Sequence, residues 1–291
     1  MVGICVLMTT FNRRAQTLAC LKTLEANKVE LNALGVSLRA VLVDDGGTDG
    51  TADAVQQAFP WIEVIRAAGN LYWCRGMHLA QQHPLVRSAD YQLWLNDDVL
   101  LKKEALSALL ACETQVRAAG GCQRAVIIVG ATQDAITGRM SYGGERQGTG
   151  WAKTRFVGVP PSGVPQCCDS MNGNIVLINK AAAALVGELD PKFEHAMGDT
   201  DYALRARRLG VPVWQAPGFL GTCSDNPAKG GYRDASLPWR RRWQLMMHRK
   251  GLPWRSWLHF TRRHMGWNWP LYFAWPYAKL CAQALWRRRD G

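Results

Sequence analysis

The chain has no C-x-x-C pair, although it carries nine cysteines. An odd number scattered through apolar runs is poor material for a disulfide framework or a zinc site and suits a reducing compartment, so the cytoplasm is the expected location. No stretch reaches the roughly 18 uncharged apolar residues of a spanning helix. The opening apolar run, residues 1–8, is too short for a signal peptide and has no basic residues before it. Neither G-x-G-x-x-G after the first apolar run nor G-x-x-x-x-G-K-[ST] occurs, which removes the main support for a dinucleotide fold or a P-loop. No internal repeat is evident. One absence is local: residues 238–289 contain no Asp or Glu.

What is present sets the scale. With 291 residues, 48% hydrophobic and 20% charged, the chain can bury a large core as one α/β domain or as one domain plus an appendage. Twelve of the 35 Lys and Arg and eight of the 13 Trp fall in residues 238–289, and the remaining 23 bases match the 23 acids. The net charge of +12 therefore belongs to the C-terminal fifth. Strand-type apolar runs at 3–8, 40–43, 62–65, 91–95 and 125–129 alternate with helical spacing at 13–26, 51–59 and 102–118. That alternation predicts a Rossmann-like, mostly parallel sheet flanked by helices. After Gly130 the rhythm changes: 138–165 reads as hairpins and loops, 174–178 as a strand, and 180–186 and 199–209 as helices. The expected division is 1–130 for nucleotide binding, 131–235 for acceptor and catalysis, and 236–291 as a helical basic extension.

In open parallel sheets ligands bind beyond the carboxyl ends of the strands. Thr9, Thr10, Phe11, Asn12 and Arg13 follow the first run, and Asp44, Asp45 and two glycines follow the second. After the third come Gly69, Asn70, Leu71, Tyr72, Trp73, Cys74 and Arg75, and after the fourth Asn96, Asp97 and Asp98. Turns and helix caps explain any one of these segments. Four along one edge point to a binding site. Without a glycine-rich phosphate loop, carboxylates must do the binding. Asp44 can accept from a base N–H and Asp97 from a ribose hydroxyl, while Asp98 suits a hard divalent cation (Mn²⁺ or Mg²⁺) that would neutralise a diphosphate.

The blocks V-L-M-T-T-F-N-R, V-L-V-D-D-G-G-T-D-G-T, W-L-N-D-D-V and G-D-T-D-Y-A-L-R, in this order, resemble family 2 glycosyltransferases of the GT-A fold across residues 3–225. The resemblance implies an inverting, nucleotide-sugar-dependent transferase. It places residues 9–13 and Asp44 around the nucleoside, with Asp45 and Asn70 in the same loops and Arg75 near the base. It makes Asn96-Asp97-Asp98 the D-x-D-type metal motif, with Asp98 as ligand, and Asp199 the general base. Two departures stand out: the first motif position is Asn96, and the Glu that often precedes the catalytic Asp is Gly198. A His that sometimes helps hold metal has no counterpart, and Cys223 lies in its region.

Asp199 and Asp201 also suit the start of a helix, where acids meet the positive end of the dipole. Inversion needs one carboxylate to take a proton from the attacking hydroxyl, a role for Asp199, with Asp201 positioning the acceptor or supporting the base. His195 reads as structural. Asn172, Gly173 and Asn174 precede a strand and either bond sugar hydroxyls or form a turn. Trp73 either stacks on a sugar or fills the core.

In the extension, Trp254, Trp257, Leu258, Thr261 and Met265 share one helical face and Arg255, His259, Arg262 and Arg263 lie elsewhere. Trp239-Arg240-Arg241-Arg242-Trp243 and Trp286-Arg287-Arg288-Arg289 repeat the theme. Such a surface suits the anionic inner face of the cytoplasmic membrane and a lipid-linked acceptor. The alternative packs the tryptophans on the catalytic domain and leaves the arginines in water. Pro270, Pro276 and Lys279 argue against a spanning helix there. The expected activity is transfer from a UDP- or dTDP-sugar to a hydroxyl of a glycan acceptor, in bacterial surface polysaccharide synthesis. A sugar-1-phosphate nucleotidyltransferase would want a Gly-rich loop where Thr9 to Arg13 stand. A nucleic-acid-binding protein would leave the acidic edge unexplained, so no nucleic acid partner is expected.

Overall fold

The computed structural model describes residues 2–119, 124–225 and 230–287. Cys122, Arg288 and Arg289 lie outside the described residues, as do the side chains of 284–287, Trp286 and Arg287 among them. The first half alternates strictly: β1 (Val2–Thr10), α1 (Arg14–Ala33), β2 (Val36–Asp44), α2 (Thr51–Ala58), β3 (Ile62–Arg66), α3 (Tyr72–Gln81), α4 (Pro84–Ser88) and β4 (Tyr91–Leu95). β5 (Leu100–Leu101) and α5 (Ala105–Ala119) lead to β6 (Ile127–Gln133), β7 (Met140–Tyr142), β8 (Gly144–Gln147) and β9 (Phe156–Gly158). Then come β10 (Gln166–Cys168), β11 (Ser170–Met171), β12 (Ile175–Asn179), α6 (Lys180–Val186), α7 (Gly198–Arg208) and β13 (Val213–Thr222). The extension is α8 (Trp239–Met247), α9 (Trp254–His264) and α10 (Trp269–Arg287).

The main sheet runs β10-β13-β6-β12-β4-β1-β2-β3, and a small sheet runs β11-β8-β9. β4, β1, β2 and β3 are parallel, so Thr10, Asp44, Arg66 and Leu95 end at one edge. β12 runs antiparallel to both β4 and β6. The pleat sends alternate residues of β1 to opposite layers. Ile4, Val6 and Met8 join Leu21, Leu24, Val55 and Leu109 under α1, α2 and α5. Cys5 and Leu7 join Met77, Phe193 and Tyr202 on the other side.

That second layer also holds Trp257, Phe260, Met265 and Tyr272 of the extension. Each such side chain contributes about 1.5–3 kcal/mol when fully buried. The extension is thus built into the core, while Trp254, Trp267, Leu271 and Trp275 remain exposed, Trp267 at 96%. Trp257 thus packs on the catalytic domain, while other tryptophans of the same helices stay at the surface. α10 continues through Pro276, which forgoes one backbone bond rather than ending the helix. No helix among the described residues is long and apolar enough to cross a membrane. β13 escapes the sequence pattern because its alternation breaks at Pro217-Gly218, where its register against β6 also shifts.

Candidate active site

The loops beyond β1 to β4 are knitted together by their own polar groups. Asn12 Oδ1 accepts from Thr48 N at 2.7 Å, and Asp44 Oδ1 from Gly47 N at 2.9 Å. Both Asp45 oxygens are taken by backbone, from Leu71 N at 3.0 Å and Tyr72 N at 2.8 Å. Gly46, at φ +76°, passes within 2.9 Å of Gly69 at the position a Cβ would take, so only glycine allows the two loops to cross. Asn12, Asn70, Tyr72 and Met197 are non-glycine residues at positive φ, and all lie around this edge or at the start of α7. Backbone strain of this kind gathers at binding sites.

Arg13 Nη1 bridges Asp97 Oδ1 at 2.7 Å and Asp98 Oδ2 at 3.0 Å. Burial pushes the Asp97 carboxyl up, against the pull of Arg13. Thr10 hydrogen-bonds Thr17 at 2.9 Å below them, Thr9 packs against Gly76, and Phe11 is exposed at the rim. Asn96 Oδ1 accepts from the Trp73 indole at 2.7 Å, so the amide orients the ring. Cys223 Sγ lies 3.5 Å from Asp98 Oδ1 and 3.5 Å from Asn174 Nδ2. Among the described residues no three His, Cys, Asp or Glu side chains could hold one ion together. Asp98, paired with Arg13 and beside Cys223, is the motif carboxylate that could contribute to a divalent-cation site, with substrate phosphate and water supplying the rest of the shell.

Trp73 joins this edge to the segment before β12 and to the start of α7. Its ring meets Trp94 edge-on at 5.9 Å and fills the space a side chain would need at Gly173. Asp199 Oδ2 accepts from Gly173 N at 3.0 Å, and Oδ1 from Thr200 N at 2.8 Å. Burial raises the Asp199 carboxyl, although these backbone bonds pull it down. A Glu at position 198 has no room, because a Cβ there would collide with Cys74. Asn172 Nδ2 donates to Glu145 Oε1 at 3.4 Å. Nothing in the sequence pattern marks Glu145, which sits in the Gly-rich stretch read as loops.

Asp201, two residues on, faces the other way and is wholly buried. Its oxygens accept from Arg205 Nε at 2.9 Å, Arg263 Nη1 at 2.9 and 3.0 Å, and bond His264 Nε2 at 2.8 Å. Burial alone would raise its pKa, but these partners hold the carboxyl below the usual range. Arg263 Nη2 also reaches Asp190 at 2.7 Å, and His259 bonds Asp190 at 2.9 Å. Asp201 is therefore outside any space a substrate could enter. Arg75 turns toward Pro191 O at 2.9 Å and Glu194 at 3.7 Å. Arg249 of the α8–α9 loop stacks over Tyr72 at 3.8 Å and pairs with Glu194 at 3.3 Å. His195 is pushed down to about 4 by burial and then by Lys250, His248 and Arg13, so it stays neutral.

The family model described as "Glycosyl transferase family 2" matches residues 5–153, half of the chain. None of the curated proteins compared with the chain matches it. Among solved structures, that of S. aureus TarS 1-349 aligns with a TM-score of 0.52 at 14% identity, over 77% of this chain and 60% of that one. The crystal structure of GalNAc-T7 with UDP, GalNAc and Mn²⁺ aligns with a TM-score of 0.60 at 12% identity, over 82% of this chain and 45% of that one. This chain thus spans 60% and 45% of the lengths of these two, and the likeness is one of fold.

Proposed function

The chain belongs to glycosyl transferase family 2, and on that premise we propose that it moves a sugar from a UDP- or dTDP-sugar to a hydroxyl of a glycan acceptor, with inversion. The observation that carries this reading is the position of Asp199. Its carboxylate is anchored by two backbone N–H groups, has no ion pair among the described residues, and sits beside Trp73 and Gly173. It takes the proton of the attacking hydroxyl as the new C–O bond forms and the bond to the diphosphate breaks, its electron pair leaving with the phosphate. One base suffices because no covalent intermediate forms. Asp44 holds the base and Asp97 the ribose, and Arg13, paired with both motif carboxylates, supplies positive charge beside the diphosphate. A divalent cation at Asp98 would supply charge neutralisation to the leaving diphosphate. GalNAc-T7 was crystallised with Mn²⁺ and UDP, which supports a donor and metal of this class. Asp45, Asn96 and Asp201 act through the backbone, indole and helix that they hold.

The division at 235/236 is one of surface rather than core, since α9 and α10 share the second layer. The outer face of the extension, with Trp239, Trp254, Trp267 and Trp275 exposed beside Arg255 and Arg262, suits an anionic membrane surface at the cytoplasmic side. There the acceptor would be a lipid-linked glycan of bacterial surface polysaccharide, and nucleic acid is not a partner. The test of the donor site is calorimetric titration of UDP and dTDP, with and without Mn²⁺, on wild type and Asp98→Ala. Metal-dependent binding of one nucleotide, lost in the variant, is expected. Absence of binding under every condition would overturn the transferase reading.

A further inference from the structure

The acids of residues 140–208 fall into two sets. Asp169 pairs with Arg207 at 3.2 Å, Glu188 with Arg87 at 3.1 Å, and Glu194 with Arg249 at 3.3 Å. Asp190 and Asp201 are paired with Arg263 at 2.7 and 2.9 Å. Across residues 140–208 only Glu145 and Asp199 have no ion pair among the described residues. These two come from separate elements, β8 and α7, and converge on one dipeptide. Glu145 Oε1 takes the Asn172 side-chain amide at 3.4 Å, and Asp199 Oδ2 takes the Gly173 N–H at 3.0 Å.

The neighbours of Glu145 offer it no cation. Asp169 donates its backbone N–H to the Glu145 carbonyl, but its carboxylate turns to Gln147 N at 3.0 Å and to Arg207. β9 and β11, which flank Glu145 in the small sheet, bring Gly158 and Ser170 opposite it. From α7 the charged group that faces it is Asp199. Arg146, next along β8, is exposed on the opposite side of the strand. Two half-buried carboxylates brought together with no counter-ion cost stability, and such costs are kept where chemistry uses them.

We propose that Glu145 is an acceptor-positioning carboxyl: facing Asp199 across Asn172-Gly173, it donates a hydrogen bond to an acceptor hydroxyl beside the one that Asp199 deprotonates. Glu145 keeps its proton throughout the transfer. The proton lost by the attacking hydroxyl goes to Asp199, and the charge of the broken glycosyl–phosphate bond leaves with the diphosphate. Burial, and then the charge of Asp199, push the Glu145 carboxyl up to about 7 against the pull of the Asn172 and Ser170 hydrogen bonds, so below pH 7 it is mostly a donor. At the dipeptide the Gly173 N–H favours the ionised form of Asp199 and the Asn172 amide that of Glu145, so each carboxyl is held in place by one of the pair.

The inference rests on the transferase reading, and its test separates the two. The protein is labelled with ¹³C at glutamate carboxyls and titrated by NMR, as wild type, Glu145→Gln and Asp199→Asn. The expected result is one glutamate titrating near pH 7, absent in Glu145→Gln and moved back toward the ordinary glutamate range in Asp199→Asn. A wild-type spectrum with every glutamate titrating below pH 6, or a shifted one indifferent to Asp199→Asn, overturns the pair. Nucleoside diphosphate release is then followed against pH, with methyl glycosides as acceptors. Glu145→Gln, which remains a donor at every pH, should keep the rate at pH 6 and lose the fall above pH 7. Parallel profiles for the two proteins would overturn the acceptor role. Failure of any nucleotide to bind would remove the transferase reading, and the acceptor role with it, while the carboxyl titration still reports whether the charge of Asp199 acts on Glu145.

Discussion

The two sides of the first turn of α7 place carboxylates two residues apart in opposite surroundings. On the open side Asp199 has backbone N–H groups, a second carboxyl and no cation; on the covered side Asp201 is gripped by two arginines and a histidine. A charge that is fully satisfied holds structure, because removing a partner strands it in a medium that solvates it poorly. A charge that is left partly unsatisfied is available to a proton or a ligand. The same helix start supplies both, since neighbouring side chains on a helix point in different directions.

The largest effect that tests this contrast is on rate. Asp199→Asn should lower turnover by about 10²–10⁴-fold, with nucleotide affinity kept, whereas a comparable loss of affinity would break the assignment of a base. On the covered side Arg263→Ala should lower stability by about 3 kcal/mol in denaturant unfolding, because Asp201 loses two of its bonds inside the core. An unfolding midpoint equal to wild type would mean that the extension is not needed to hold α7. A smaller effect is expected with pH. The Asp190 carboxyl is shifted to about 2 from 3.8, burial being outweighed by Lys192 N, His259 and Arg263. A depressed carboxyl stabilises the fold above its unfolded pKa, so this contribution is present above about pH 4 and lost as pH falls toward 2. Thermal scans of Asp190→Asn should accordingly converge with wild type in that window. The smallest change in stability belongs to Trp267→Ala, within about 0.5 kcal/mol, since the ring is almost wholly exposed. Its effect should appear instead as weaker pelleting with anionic vesicles at low salt.

The open side was largely legible in the sequence and the covered side was not. Strand ends, turn glycines and the acids after them are local patterns, so the edge formed by Thr10, Asp44, Asn96 and Asp98 could be assembled by following each apolar run to its close. Residues 91–95 and 180–186 match β4 and α6 to the residue for the same reason. The fate of Asp201 depends on Arg263 and His264, which lie 62 and 63 residues further on, and no spacing rule links them. Glu145 was hidden in another way. β8 is four residues long in a small antiparallel sheet, too short for its alternation to stand out from the glycines around it. The extension was read as an appendage because charge and tryptophan content describe its surface, whereas Phe260 and Tyr272 define what it covers.

The sharing of one core layer by α7, α9 and α10 has a consequence for how the protein is made. A ribosome delivers α7 first, and its opening turn emerges with Asp201 and its surrounding apolar surface uncovered. Only when α9 follows can Arg263 and His264 close over that carboxylate. During synthesis the nascent chain is therefore obliged to wait for α9 before the turn that carries Asp199 is set, and the surface proposed to meet the membrane arrives in the same event.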